Sequence, residues 1–206
     1  MSARDAILAR IRAVRCASGA PVPPTPPIPA RGRTEGAARI ALFVDEAELA
    51  LAEVHGLKSL ADVPARVAAF VKEAGAPGVK AEPRAALRDL DWSGVNIAFG
   101  PADAADAVGL CRADFGIAET GTVVLMSGAD RPTALNFLPD LHIVVLRAED
   151  IVANPEAVWA VLKSKPFPRT VNWITGPSRT ADIEQTMFFG AHGPRKLVIL
   201  LIDEQA

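Results

Sequence analysis

Cysteine is nearly absent from these 206 residues: only Cys16 and Cys111 occur, far apart in the chain. An iron–sulfur cluster takes about four thiolates, and two cysteines alone complete no tetrahedral zinc site. The chain is therefore expected to carry no cofactor of its own, and any redox metal working with it is expected on another chain. A basic block is also missing. The formal charge is −2 and the pI about 5.9, and Lys and Arg nowhere cluster, so the electrostatic footprint of a nucleic-acid binder is not there. No apolar run approaches the roughly 18 residues that suggest a membrane span; the longest, LVILLI at 197–202, fits a buried strand. The N-terminal segment carries Arg4, Asp5, Arg10 and Arg12 without an apolar centre, so it is not read as a signal peptide, and the expected location is cytoplasmic. In that compartment both cysteines are expected to be plain thiols. GxGxxG, Walker A, HExxH and GxSxG patterns are all lacking, and with them the usual marks of dinucleotide, ATP, zinc-peptidase and serine-hydrolase chemistry.

What is present is a chain 50% hydrophobic with mean hydropathy +0.22, enough for a substantial core. Its length suits one domain plus accessory pieces. Ile7, Leu8, Ile11 and Val14 fall on one stripe of a first helix. Six prolines in the nine residues from Pro21 to Pro29 then make a stiff, extended arm, read as a tether for that helix or as a proline-rich ligand. Residues 1–33 are thus set apart from a single α/β domain at 34–206. Within the domain, helices are expected at 36–52, 62–74, 155–164 and 181–189. A short helix should start near Pro101, and another lie near 132–137. Strands are expected near 78–82, 94–99, 115–126, 142–147, 170–175 and 196–202. HIVVL, TVNWIT and KLVILLI are apolar on both faces, as in a sheet covered by helices on both sides. The fold class is α/β, a Rossmann-like open sheet with right-handed crossovers.

Two stretches carry the candidate chemistry. In ITGPSRTADIEQTMFFGAHGP (174–194), Gly176 to Thr180 joins a strand to the predicted helix, with Thr180 as N-cap and Asp182 and Glu184 in the first turn. Placed at the carboxyl end of a parallel sheet, this loop offers Ser178, Arg179 and Thr180 to an anion. The two acidic residues disfavour a polyphosphate and leave a singly charged carboxylate or a polar partner contact. Equally, the loop is a capped helix start and nothing more. His192, in GAHGP, follows the helix and is expected about 15 Å from Thr180 for a ten-residue helix, outside any site with Ser178. In ADFGIAETGTVVLMSG (113–128), Thr120 and Gly121 separate two β-like runs, with Gly121 at a positive φ. The same tip can be read as catalytic, with the Glu119 carboxylate beside the N–H groups of Gly121 and Thr122. His142 is read as structural and His55 as a loop residue, while Asn136 and Arg131 could face a pocket.

GIAETGTVVL, LPDLHIVV and TGPSRTADIE followed by GAHGPRKLVILLID, in this order, resemble the LUD-domain family in its lactate-utilization protein C type. The resemblance is strong over 90–204 and implies a fold similar to sugar-phosphate isomerases and CoA transferases. It implies a non-redox subunit of a system that oxidises L-lactate to pyruvate alongside two iron–sulfur proteins, which hold the clusters. Lactate or pyruvate would be the small ligand, with Arg179 pairing its carboxylate. The family motif falls on Glu119, Thr120, Gly121, Ser178, Arg179, Thr180, Asp182, Glu184 and His192. The alternative is a self-sufficient enzyme on a CoA ester or sugar phosphate, using Glu119.

Overall fold

A computed structural model of the protein describes residues 2–15, 26–180, 188–190 and 192–204. Its first half runs α1 (Ala3–Arg15), α2 (Gly36–Leu49), β1 (Glu53–Leu57), α3 (Val63–Glu73), β2 (Val79–Ala81), α4 (Ala85–Arg88), β3 (Ile97–Phe99) and β4 (Val108–Arg112). The second half runs β5 (Phe115–Ile117), β6 (Thr122–Met126), β7 (Leu141–Arg147), β8 (Ile151–Val152), α5 (Pro155–Lys163) and β9 (Val171–Ile174), then β10 (Arg179–Thr180), β11 (Phe188–Phe189) and β12 (Lys196–Ile202). Single 3-10 turns form at Ala30–Arg33 and Thr133–Asn136.

Six strands make one parallel sheet in the order β1–β12–β7–β4–β2–β3. Because side chains alternate along a strand, its apolar runs feed two cores. Cys111, Val144, Leu146, Leu197, Ile199 and Leu201 meet Phe43 and Ala47 of α2 on one face. Leu110, Ile143, Val145, Val198, Leu200 and Ile202 meet Val63, Val67 and Phe70 of α3 and Leu87 of α4 on the other. The Rossmann-like sheet covered on both faces is therefore what the sequence pattern implies.

A second, four-stranded sheet, β8–β5–β6–β9, lies over the α2 face. Val123 and Leu125 turn toward the parallel sheet, while Ile117 and Val124 pack on Val158 and Leu162 of α5. That helix starts cleanly: Pro155 occupies its first position and the Asn154 side chain accepts from the Ala157 N–H at 3.0 Å.

Several expectations are corrected. Residues 53–57, including His55, form edge strand β1 rather than a loop. No helix starts at Pro101. There the Asp103 side chain accepts from Ala105 N, and Asp106 from Asp103 N, local bonds that hold a turn in place of a helix before β4. Thr180 lies in β10, antiparallel to β11, and Phe188 and Phe189 are strand where the end of a helix was expected. Residues 181–187, with Asp182 and Glu184, lie outside the described residues. Most consequential is β9, which pairs with β6 in the second sheet rather than joining the parallel one. The GPSRT loop after it therefore lies near the amino ends of β7 and β12, at the opposite end from that expected.

Candidate functional site

The hairpin of β5 and β6 is built as the sequence suggests, with Gly121 at φ +61 and its α-carbon against α2. A Cβ there would strike the Ala47 backbone nitrogen, so glycine is required twice over. At the tip the Glu119 N–H donates to the Ala153 carbonyl at 3.1 Å. The Glu119 carbonyl accepts from Arg31 Nη2 at 2.6 Å, and the same guanidinium pairs with Glu46 at 2.7 Å. Asn154 Nδ2 donates to the Gly32 carbonyl at 2.7 Å. Residues 30–33 are thus bound down over the hairpin tip, and a Cβ on Gly32 would stand 2.9 Å from Glu119 Oε2. The Glu119 carboxylate sits beneath the end of the arm, in an open hollow of about 350 Å³ shared with Arg31, Glu46, Thr120 and Thr175.

The two candidate stretches, 113–128 and 174–194, meet through hydroxyls. Thr120 Oγ1 lies 2.7 Å from Thr122 Oγ1, which lies 2.7 Å from Thr175 Oγ1. Beyond Thr175 the chain turns at Gly176, whose φ is +75 and whose Cβ position is occupied by the Ala50 carbonyl oxygen. The Ser178 N–H then donates to the Pro194 carbonyl at 2.8 Å, and the Gly190 N–H to the Ser178 carbonyl at 2.9 Å. A Cβ on Gly193 would lie only 3.2 Å from that of Ser178. GPSRT and HGP are therefore neighbours, and His192 shares a cavity with Ser178, contrary to the separation that a helix at 181–189 would have imposed.

That cavity measures about 250 Å³ and runs from exposed Thr175 and His192 inward past Ser178 to Asn136 and His142. Trp173, Ile174 and Leu197 supply apolar wall. Among the described residues no lysine, arginine, aspartate or glutamate lines it. His142 is 0% exposed, and neither ring nitrogen has a hydrogen-bond partner. Burial pulls its pKa down to about 4, so the ring is neutral near pH 7. Asn136 is also buried and accepts from the Cys111 thiol at 3.4 Å. That thiol is fully enclosed, and burial raises its pKa well above the usual value, the mark of an inert thiol. Arg179, in contrast, is exposed in β10 and does not line the cavity.

At the other end of the parallel sheet, the chain leaves β2 toward β3 and β4 toward β7, in opposite directions. Such a switch point opens a crevice at the carboxyl ends of the two strands. Glu82, 2% exposed, fills it, ion-pairs with Arg84 Nε at 3.2 Å and accepts from the Arg112 N–H at 2.9 Å. Asp114 accepts from Arg84 at 3.3 Å, from Arg131 at 3.1 Å and from the Met126 N–H at 2.7 Å. Burial outweighs the Arg84 charge and pushes the Glu82 pKa up to about 7. Sequence reading missed this cluster because its members come from three separate stretches, 82–84, 112–114 and 131, that only the fold brings together. For His142, a polar residue inside an apolar strand was the available signal.

The LUD domain family model matches residues 101–202. The chain belongs to the LUD-domain family. The lining of the 250 Å³ cavity falls wholly inside the matched LUD segment, whereas Glu82, Arg84 and the arm lie outside it. Lactate utilization protein C of Deinococcus radiodurans is 42% identical over 102 residues, 48% of each chain. That of Anoxybacillus flavithermus is 34% identical over 98 residues, 48% of this chain and 44% of the relative. The aligned region thus spans about half the length of these curated relatives. An uncharacterized protein of Neisseria meningitidis is 34% identical over 153 residues, 73% of this chain and 64% of its own. The fold is that of a DUF162 family protein of Deinococcus radiodurans seen in a crystal structure, with TM-score 0.59, 24% identity, and coverage of 82% of this chain and 99% of that one. Among the described residues no helix is long and apolar enough to cross a membrane.

Proposed function

We propose that this LUD-domain protein is a non-redox component of a cytoplasmic system that oxidises L-lactate to pyruvate. Two iron–sulfur proteins would carry the electrons, and this chain would contribute an assembly surface and a small-ligand cavity. The observation that carries the reading is the similarity of its LUD segment to proteins named lactate utilization protein C. The chemistry of the cavity agrees with it. A sugar phosphate or a CoA ester brings several negative charges, which proteins meet with Arg, Lys or metal clamps. A neutral, partly apolar cavity suits a compact organic acid better.

The test is L-lactate-dependent dye reduction by this chain alone, by the iron–sulfur proteins alone, and by all three co-expressed. Activity only in the full set is the expected result. Full activity from the iron–sulfur pair without this chain would remove it from lactate oxidation.

A further inference from the structure

A neutral imidazole always carries one N–H and one lone pair, and burying either without a partner is unfavourable. His142 leaves both unpaired at the closed end of a cavity. Leu197 beside it and Gly109 across the sheet, its register partners in β12 and β4, offer no side-chain hydrogen bond. Buried polar groups in folded proteins nearly always find a partner in protein, water or ligand. The partner of His142 therefore comes from the cavity itself.

The cavity has a direction. Its mouth is hydrophilic and exposed, at Thr175 and His192, with half-buried Ser178 next to it. Its floor is buried and uncharged, at His142 and Asn136. At about 250 Å³ it lies below the roughly 300–1,000 Å³ of pockets for drug-sized ligands. A matching ligand is small and carries a neutral oxygen to bond an uncharged imidazole, with any charge turned toward the hydroxyls of the mouth. A phosphate ester reverses these demands.

We propose that the cavity binds a 2-hydroxy or 2-oxo monocarboxylate, with His142 hydrogen-bonded to the C2 oxygen and the carboxylate at the Ser178–Thr175 mouth. The assignment rests on the lactate reading for its substrate class, and on the unpaired ring of His142 for its location. His142 is the residue that reads the C2 oxygen, and Arg179 takes no part.

Imidazole nitrogen signals of the full-length, isotopically labelled protein test this directly, with pyruvate and L-lactate as probes. Pyruvate or L-lactate should shift the His142 ring nitrogens, with His55 of β1 as the unmoved control. His142→Phe should weaken that binding by tenfold or more, and Ser178→Ala by a smaller factor. A His142 ring that ignores both acids at saturating concentration overturns the proposal, as does binding that His142→Phe leaves intact. The assembled lactate system separates the two readings. If dye reduction needs this chain, yet His142→Phe retains the wild-type rate and KM for L-lactate, the site is wrong and the functional reading stands. If the chain is dispensable for dye reduction, the functional reading fails, and the nitrogen shifts still decide the site.

Discussion

The two ends of the parallel sheet each bury one ionisable side chain, and they treat it differently. At the amino end His142 stands among apolar walls and neutral hydrogen-bonding groups, with no ion pair. At the carboxyl end Glu82 stands among Arg84, Asp114 and Arg131, bonded on several sides. Burial drives both toward their neutral forms, so one pKa falls and the other rises. The contrast teaches that a dense ion-pair network marks a place the fold has already satisfied. An unpaired polar group marks a place still open.

The largest effect belongs to the satisfied end. Arg84→Met leaves Glu82 and Asp114 without a shared cation, and removing one member of a buried pair costs about 3–5 kcal/mol. Urea unfolding at pH 7 should show that loss. A loss below 1 kcal/mol would mean that the crevice is wetter than its geometry implies.

Next come two opposed pH slopes. The Glu82 pKa rises from 4.5 to about 7, so its contribution to stability is full below pH 4.5 and is lost as pH rises toward 7. The His142 pKa falls from 6.5 to about 4, so its contribution is full above pH 6.5 and is lost as pH drops toward 4. Each shift corresponds to something on the order of 3 kcal/mol, and in the wild-type protein the two largely offset one another. Glu82→Gln should therefore unmask a stability that climbs between pH 4 and 6.5, and His142→Phe one that declines between pH 4.5 and 7. Melting temperatures across that range check the sign. Parallel curves for both variants would refute the opposition.

Smaller effects sharpen the amino-end picture. Gly121→Ala forces an L residue to φ +61 against α2 and should cost about 2 kcal/mol in unfolding free energy. Thr122→Val breaks two hydroxyl contacts while keeping volume and should cost about 1 kcal/mol. If the valine variant is neutral in thermal unfolding, the threonine row contributes nothing to stability.

Much of this architecture could be read along the chain. The strands of KLVILLI and HIVVL, the helices at 62–74 and 155–164 and the ETG hairpin all declare themselves through local pattern. What stayed hidden is which sheet a strand joins. TVNWIT is apolar enough for either, and its pairing with β6 moved the GPSRT loop from one end of the molecule to the other. Ser178 and His192 stand out in the sequence, but a helix predicted between them holds them apart. For His142, sequence reports that a histidine is in a strand but not that its nitrogens lack partners. Glu82, Arg84 and Asp114 obey no spacing rule, since only the crossovers of the fold assemble them.

The row Thr120–Thr122–Thr175 has one more property. Three hydroxyls hold three protons, and the two links between them use two. Where the links run head to tail, the third proton emerges at one terminus and the other terminus acts only as an acceptor; where both termini donate inward, Thr122 turns its own proton aside. Neighbouring hydroxyls polarise one another, which favours the two head-to-tail senses. One sense presents a donor to the cavity at Thr175, and the other presents it to the hollow beside Glu119. A guest that demands a donor at Thr175 thereby dictates which way the row points at the hairpin tip.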